Sequence, residues 1–218
     1  MNGIHTFFRE GRSEAAPLVV LNSFGDEWKH VAEELEELEA PDHAFLAVSG
    51  FEWNVDLSPW KAPAVFKGEP DFGGGADAYL EQLTNEIVPE AVRKHGIDPG
   101  AVYIAGYSMA GLFALYSLYK TGVFNGAASC SGSLWYPGFI DYVHANDFAG
   151  TPSKVYLSLG DREARTRNHV MATVEDNTKV AAALLKGQGV GVVLEMNKGG
   201  HFDGPALRTA KGIAWLLG

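Results

Sequence analysis

Short apolar runs alternate along this chain with longer stretches of helical periodicity. Six such runs occur, at residues 17–22, 43–50, 101–106, 126–130, 154–160 and 191–196. Because the runs are apolar on both faces, they are typical of parallel strands that helices cover on each side. The helical stretches are residues 28–38, 77–95, 109–119, 174–185 and 206–217. The alternation predicts an α/β fold in which helices cover both faces of a mostly parallel central sheet.

Three local features refine this outline. Residues 4–9 are predicted to add an edge strand antiparallel to the others. In the second helical stretch Pro89 predicts a kink or the start of a new helical segment, and Gly96 is placed to end the helix. Residues 51–76 break the alternation and are predicted to form a long aromatic loop. Loops of that length in compact domains are usually functional or mobile.

Composition limits the possible partners and compartments. The 218 residues contain no repeat or linker-like stretch, so one domain over residues 1–218 is expected. The net charge of −10 disfavours nucleic acid and anionic membrane surfaces as partners. Cys130 is the single cysteine, which excludes an intrachain disulfide. Neither a secretory pattern at the start nor an apolar run of about 18 residues is present, which predicts a cytoplasmic location.

The strongest motif is Gly-Tyr-Ser-Met-Ala-Gly at residues 106–111, which follows a predicted strand and precedes a predicted helix. This context is that of a nucleophile elbow, with Ser108 as the nucleophile. Residues 106 and 110 must be small there because they approach each other closely, and they are Gly106 and Ala110. The helix start supplies backbone N–H groups for a developing oxyanion. We expect one donor to be the amide of Met109 and the other that of Phe24, with Gly25 as the neighbouring alternative.

A serine hydroxyl needs a base, and His201 has the best setting for that role. It follows the last predicted strand through a glycine-rich loop, in the chain order Ser, acid, His that this fold uses. The acid is expected after the strand 154–160, where many hydrolases of this fold place it three residues beyond the terminal glycine. That position is Glu163, and Asp161 is the alternative. The remaining histidines are predicted to lie at the surface or at helix ends: His5, His30, His43, His95, His144 and His169.

Three segments resemble the α/β-hydrolase esterases of the esterase D and siderophore-esterase-like group. They are residues 106–114, residues 129–136 (Ser-Cys-Ser-Gly-Ser-Leu-Trp-Tyr) and residues 160–163 (Gly-Asp-Arg-Glu), with His201 completing the pattern. The resemblance implies a carboxylic-ester hydrolase that forms an acyl-enzyme and uses no metal or organic cofactor. It also implies that Trp135 and Tyr136 lie near the substrate. Few basic residues are positioned to bind a highly anionic iron chelate, which favours a small neutral ester.

Aromatic residues in irregular segments are the candidate substrate contacts. Trp53 and Trp60 either line the pocket with Trp135 and Tyr136 or anchor the long loop to the body of the protein. Other acyl groups remain open as substrates, namely thioesters, peptides and carbohydrate acetyl esters. A noncatalytic binding protein of the same fold is the remaining alternative. No spacing typical of metal ligands is present, and the glycines at residues 73–75 match no phosphate-binding motif.

Overall fold

The computed structural model describes residues 3–65 and 67–218, and its strands form one seven-stranded sheet and one short two-stranded ladder. The strands are β1 His5–Arg9, β2 Leu18–Asn22, β3 Ala44–Ser49, β4 Lys61–Ala62, β5 Phe72–Gly73, β6 Val102–Tyr107, β7 Gly126–Cys130, β8 Lys154–Gly160 and β9 Gly191–Asn197. The α-helices are α1 Trp28–Glu37, α2 Trp53–Asp56, α3 Ala76–Gln82, α4 Val88–His95, α5 Met109–Lys120, α6 Phe139–Ala145, α7 Val174–Gly187 and α8 Pro205–Leu217.

The large sheet has the strand order β1-β3-β2-β6-β7-β8-β9. Strand β1 pairs antiparallel with β3, and every other pairing in this sheet is parallel. Strands β2 and β3 are buried along their whole length, and every residue in them except the last, Asn22 and Ser49, is apolar, as a buried parallel strand requires. The predicted α/β fold with a mostly parallel central sheet is confirmed, and so is the antiparallel edge strand.

Helices cover the sheet on both faces. On one face, Val31 and Leu35 of α1 pack with Ile213 and Leu216 of α8 in a single apolar cluster. On the other face α5 is buried from its first residue to Tyr119 and packs on β6 and β7. Because it is apolar on all sides, α5 can only be a central helix. It therefore holds its N-terminus at a fixed place on the carboxyl edge of the sheet.

The structure adds detail that the periodicity did not predict. A five-residue π-helix, Leu83–Ile87, joins α3 to α4, and Pro89 lies in the first turn of α4, directly after the π-helix. Gly96 ends α4 in the left-handed conformation, as expected. The segment 51–76 is not a structureless loop, because it contains α2 and the β4–β5 ladder; its residue 66 lies outside the described residues.

The surface position predicted for His43 is wrong. The residue is 7% exposed and precedes β3 directly. Its Nδ1 atom lies 2.7 Å from the carbonyl oxygen of Pro41, and its ring packs edge-on against Phe45. Burial lowers the pKa of His43. A neutral, hydrogen-bonded imidazole is compatible with the core, and the apolar run that starts at this residue did not distinguish it from a surface histidine.

Candidate active site

Ser108 lies at the tight turn between β6 and α5. Its backbone has φ 59° and ψ −121°, a conformation that is strained for any residue with a side chain. A Cβ atom on Gly106 would lie 2.5 Å from the backbone carbonyl carbon and oxygen of Ala110. The turn therefore requires glycine at residue 106, as expected for a nucleophile elbow. Because this turn directly follows the last residue of β6, Ser108 lies at the carboxyl edge of the sheet.

Three side chains from distant parts of the chain form a continuous hydrogen-bonded row. His201 Nε2 lies 3.0 Å from Ser108 Oγ, and His201 Nδ1 lies 2.7 Å from Glu163 Oε2. An ionised carboxylate only accepts hydrogen bonds, so Nδ1 carries the proton and Nε2 presents its lone pair to the serine hydroxyl. This is the tautomer that can take a proton from Ser108.

Glu163 is buried and held at both oxygens. Its Oε1 atom accepts from the Ser131 hydroxyl at 2.8 Å and from the Gly160 amide at 2.7 Å. Burial acts to raise the pKa of Glu163. The hydrogen bond from His201 and its charge outweigh that effect, together with the hydrogen bonds from the Gly160 amide and the Ser131 hydroxyl, so the pKa lies below its usual value. The carboxyl group therefore stays ionised beside the imidazole.

Asp161, the alternative acid, has a different place. Its Oδ1 atom accepts a hydrogen bond of 2.9 Å from the amide of Gly199 and closes the loop that leads to His201. The structure thus brings Glu163 to the imidazole and leaves Asp161 as a loop-closing residue. The bend after β8, in which the Glu163 amide bonds to the Gly160 carbonyl at 3.1 Å, turns residue 163 back toward the sheet edge.

The residues of the two expected oxyanion donors, Met109 and Phe24, each line a cavity that contains Ser108. Met109 is the first residue of α5, and neither its amide nor that of Phe24 has an acceptor among the described residues. Phe24 follows the end of β2 and lines one cavity together with Ser108 and His201. Gly25, the alternative, has φ 50° and likewise an amide without an acceptor in the described part of the chain. Both turns can supply an N–H group to an oxyanion.

Two cavities of about 350 Å³ each meet at Ser108 and His201. The first lies toward α1 and α8 and is lined mainly by apolar side chains, including Phe24 and Val31. The second lies toward the segment 51–76 and includes Trp135. Among the described lining residues neither cavity has a lysine or an arginine, and each has one glutamate: Glu27 in the first and Glu69 in the second.

The predicted aromatic contacts divide into two groups. Trp53 lines both cavities, and Trp135 lines the second together with Phe72. Trp60 and Tyr136 line neither of these cavities. Instead, Trp60 Nε1 donates to the Pro137 carbonyl at 2.9 Å, and the Tyr136 hydroxyl donates to the Trp60 carbonyl at 2.5 Å. These two residues anchor the segment 51–76 to the body of the protein.

Sequence reasoning missed three residues that surround the row. Ser133 Oγ lies 3.3 Å from Ser108 Oγ, and Ser131 and Arg208 both hydrogen-bond to Glu163. Ser131 has a strained φ of 43°. Arg208 was detectable in principle, because it lies one turn before the buried Gly212 in a helix whose buried face is otherwise uncharged. A charge in phase with a buried stripe requires a buried partner.

Two features are absent from the described residues. No group of three or more histidine, cysteine, aspartate or glutamate side chains is arranged to hold a metal ion. None of the helices in the described part of the chain is long and apolar enough to cross a membrane.

Comparison with known proteins identifies the family. The Esterase family model (described as "Putative esterase") matches residues 27–201. "Uncharacterized protein YbbA" from Bacillus subtilis (strain 168) is 25% identical over 171 residues, which cover 75% of this chain and 68% of that protein. The residues that the family model matches include the elbow, the acid loop and His201.

Solved structures share the fold at low identity. An IroE-like serine hydrolase from Shewanella oneidensis has a TM-score of 0.81 at 19% identity, covering 97% of this chain and 75% of that one. The siderophore hydrolase EstA from Aspergillus nidulans has a TM-score of 0.73 at 19% identity, covering 98% and 94%. The enterobactin esterase FES from Shigella flexneri has a TM-score of 0.69 at 17% identity, covering 98% and 54%. The chain belongs to the Esterase family and is an esterase with the α/β-hydrolase fold.

Proposed function

We propose that this protein is a serine carboxylic-ester hydrolase that acts through an acyl-enzyme on a small, uncharged ester. The observation that carries the proposal is the pair of hydrogen bonds, 3.0 Å and 2.7 Å long, that joins Ser108 to His201 and His201 to Glu163. This row gives the hydroxyl a base and gives the base an orienting carboxylate, the combination that acyl transfer to serine requires.

In the first half-reaction Ser108 Oγ attacks the ester carbonyl carbon, and its proton moves to His201 Nε2. The carbonyl electron pair moves to oxygen, where the amides of Met109 and Phe24 would hold the negative charge. The intermediate collapses when the bond to the alcohol oxygen breaks, and His201 returns its proton to the leaving alcohol. Glu163 remains ionised and stabilises the imidazolium that forms between these two transfers.

In the second half-reaction water takes the place of the alcohol. His201 removes a proton from the water as it attacks the acyl carbon, and the same two amides hold the second oxyanion. The bond to Ser108 then breaks, which releases the acid, and His201 returns its proton to Ser108 Oγ and restores the hydroxyl. These reaction steps use only the side chains and amides named here and one water molecule.

The cavities support an uncharged substrate. Their walls are mainly apolar and aromatic, while the titratable carboxyl side chains along them, Glu27 and Glu69, would repel a substrate anion. The net charge of −10 acts in the same direction at longer range. The structural relatives named for siderophores and enterobactin do not change this choice, since no cation lines the two cavities in the described part of this chain.

The test is hydrolysis of p-nitrophenyl butyrate by the purified protein. Ser108→Ala is expected to lower kcat by about a thousandfold or more with the fold intact. Ser133→Ala is the matched control, because its hydroxyl lies 3.3 Å from that of Ser108 but does not contact His201. We expect that variant to keep turnover within about tenfold of the wild type. Full turnover in Ser108→Ala would refute the assignment.

Substrate charge is tested separately with mono-p-nitrophenyl succinate, in which a carboxylate replaces the terminal methyl group of the butyrate. The wild type is expected to hydrolyse the anionic ester with a kcat/KM at least tenfold lower, about the effect of one unfavourable charge contact. Equal values would contradict the proposed preference while leaving the serine mechanism intact. Turnover of only thioesters, peptides or carbohydrate acetyl esters would show that the substrate is one of these and does not belong to the class proposed. A wild-type protein that hydrolyses none of these substrates would favour a noncatalytic binding protein.

A cytoplasmic location stays part of the proposal.

A further inference from the structure

A buried cation, Arg208, contacts Glu163, the carboxylate that is hydrogen-bonded to His201. Arg208 projects from α8, and its side chain is 3% exposed, as closely buried as that of Glu163 at 4%. An arginine keeps its charge in a protein interior, and an unpaired buried charge is very costly. Arg208 Nη1 lies 2.9 Å from Glu163 Oε1, which is the oxygen that does not face His201. The carboxylate therefore lies between a guanidinium and an imidazole.

The same guanidinium also contacts the segment that carries the base. Arg208 Nη2 donates to the Lys198 carbonyl at 3.3 Å, and Nη1 lies 3.2 Å from the hydroxyl oxygen of Tyr107. The Tyr107 hydroxyl in turn donates to the His201 carbonyl at 2.7 Å. Burial raises the pKa of Tyr107 to about 12, so this hydroxyl stays protonated. Arg208 thus connects the acid loop with the histidine loop.

The guanidinium of Arg208 packs directly against the backbone at Gly160. A Cβ atom on Gly160 would lie 3.0 Å from both terminal nitrogens of Arg208 and 2.4 Å from the carbonyl oxygen of Gly199. The end of β8, the loop before His201 and the arginine therefore meet at a position where only glycine fits. The Ser131 hydroxyl completes the surroundings, since it donates to Glu163 and lies 3.1 Å from Arg208 Nη1.

We propose that Arg208 is a positioning residue that aligns Glu163 with His201 and limits how strongly the carboxylate attracts a proton onto the imidazole. The inference rests on the proposed serine mechanism. With Arg208 present, the carboxylate charge is shared between the guanidinium and the ring. Without it, the full charge of Glu163 would stabilise the imidazolium, and a protonated His201 cannot accept the Ser108 proton.

Three other charged side chains near His201 have partners of their own and do not hydrogen-bond to Glu163. Arg162 and Asp203 pair with each other at 3.3 Å in an exposed position, where ion pairs have little effect. Asp161 accepts a hydrogen bond from the amide of Gly199 and does not contact the imidazole. The titratable and charged groups that face the Glu163–His201 pair from the surrounding elements are Tyr107 of β6, Asp161 and Arg162 after β8, Asp203 beside His201, Arg208 of α8, and Glu27 and Glu69 on the cavity walls.

The experiment compares Arg208→Met, which removes the charge, with Arg208→Lys, which keeps it. The profile of kcat/KM against pH is measured with p-nitrophenyl butyrate for the wild type and both variants. In Arg208→Met the acidic limb is expected to move to higher pH by about one unit, and the plateau to fall by about tenfold. In Arg208→Lys the limb is expected to stay in place while the plateau falls, because an ammonium lacks the fork that reaches several acceptors.

A merely structural arginine would give a different result. Both variants would then lose activity in proportion to their loss of stability, and the limb would not move in either; that outcome overturns the proposal. If Arg208→Met does not fold, Arg208→Lys and Tyr107→Phe carry the test, since both keep the charge and weaken the alignment. Each should lower the plateau by threefold or more, on the order of one hydrogen bond, without moving the limb. Plateaus within twofold of the wild type would overturn the proposal.

A readout that does not need turnover separates this inference from the proposed function. NMR titration of the His201 imidazole in the wild type, Arg208→Lys and, where it folds, Arg208→Met reports protonation whether or not esters are hydrolysed. An upward shift confined to Arg208→Met supports the charge argument even if Ser108→Ala keeps full ester turnover, a result that would refute the mechanism alone. An unchanged titration in Arg208→Met, with Ser108→Ala inactive, refutes the role of Arg208 alone.

Discussion

Replacing Glu163 with glutamine should disable the base without removing it. In the native protein Ser131, the Gly160 amide and Arg208 all donate to Oε1. The glutamine oxygen must take that position, because an NH₂ group there would face three donors. The NH₂ group then faces His201 Nδ1, which must give up its proton, so the ring proton moves to Nε2. That tautomer has no lone pair for the Ser108 hydroxyl.

The size of the effect follows from this change of tautomer. We expect kcat for p-nitrophenyl butyrate to fall by about 10³- to 10⁴-fold in Glu163→Gln, which corresponds to about 4 to 5.5 kcal/mol in the barrier. Arg208 would also lose its buried counter-charge, so the free energy of unfolding in urea should fall by about 3 kcal/mol. The assay is steady-state hydrolysis at a temperature where circular dichroism shows the variant to be folded.

Asp161→Asn is the matched control for this prediction. Asparagine keeps an oxygen for the Gly199 amide, which Asp161 accepts at 2.9 Å, so kcat should stay within about threefold of the wild type. The reasoning would be refuted if Asp161→Asn lost activity on the thousandfold scale while Glu163→Gln kept it. That result would assign the orienting role to the other carboxylate.

Three more predictions concern stability and reactivity. Hydrogen bonds hold the pKa of Glu163 below its usual 4.5 despite burial. The contribution of this carboxylate to the free energy of unfolding is therefore complete above pH 4.5 and is lost as the pH falls through the lower pKa of the folded state. Unfolding in urea at a series of acidic pH values should show this loss, and Glu163→Gln should not show it. Gly106→Ala should cost about 1–3 kcal/mol in urea unfolding because its Cβ would meet Ala110, whereas Gly187→Ala, at an open helical position, should be neutral or stabilising by up to about 1 kcal/mol. Burial raises the pKa of Cys130 to about 12, so iodoacetamide at pH 8 should modify this thiol only in the unfolded protein, as mass spectrometry would show.

The fold could be predicted because uninterrupted apolar runs alternate along the sequence with stretches of helical periodicity. Buried parallel strands need uninterrupted apolar runs, and each of the six predicted runs corresponds to a strand of the sheet with ends shifted by at most one residue. The elbow was predictable for a different reason, since the strained backbone at Ser108 demands small neighbours such as Gly106. Short helices of one or two turns, such as α2 and α6, left no comparable signal.

The surroundings of the site were harder to predict because they depend on contacts between distant segments. The Arg208–Glu163 pair joins residues 45 positions apart, and a single charged residue inside a helix is usually exposed. Tyr136 was expected near the substrate, and Trp60 was predicted either to line the pocket or to anchor the long loop. Whether an aromatic side chain lines a cavity or anchors a loop is decided by packing. Their bonds to the Pro137 and Trp60 carbonyls make them anchors here.

The most direct test of the account is covalent trapping at the serine. Incubation with a fluorophosphonate followed by peptide mass spectrometry should place a single adduct on Ser108, the hydroxyl that lies 3.0 Å from His201 Nε2. The adduct should be missing in Ser108→Ala and should form much more slowly in His201→Ala. A folded wild-type protein that stays unlabelled, or that carries its adduct at Ser133 instead, would contradict the account.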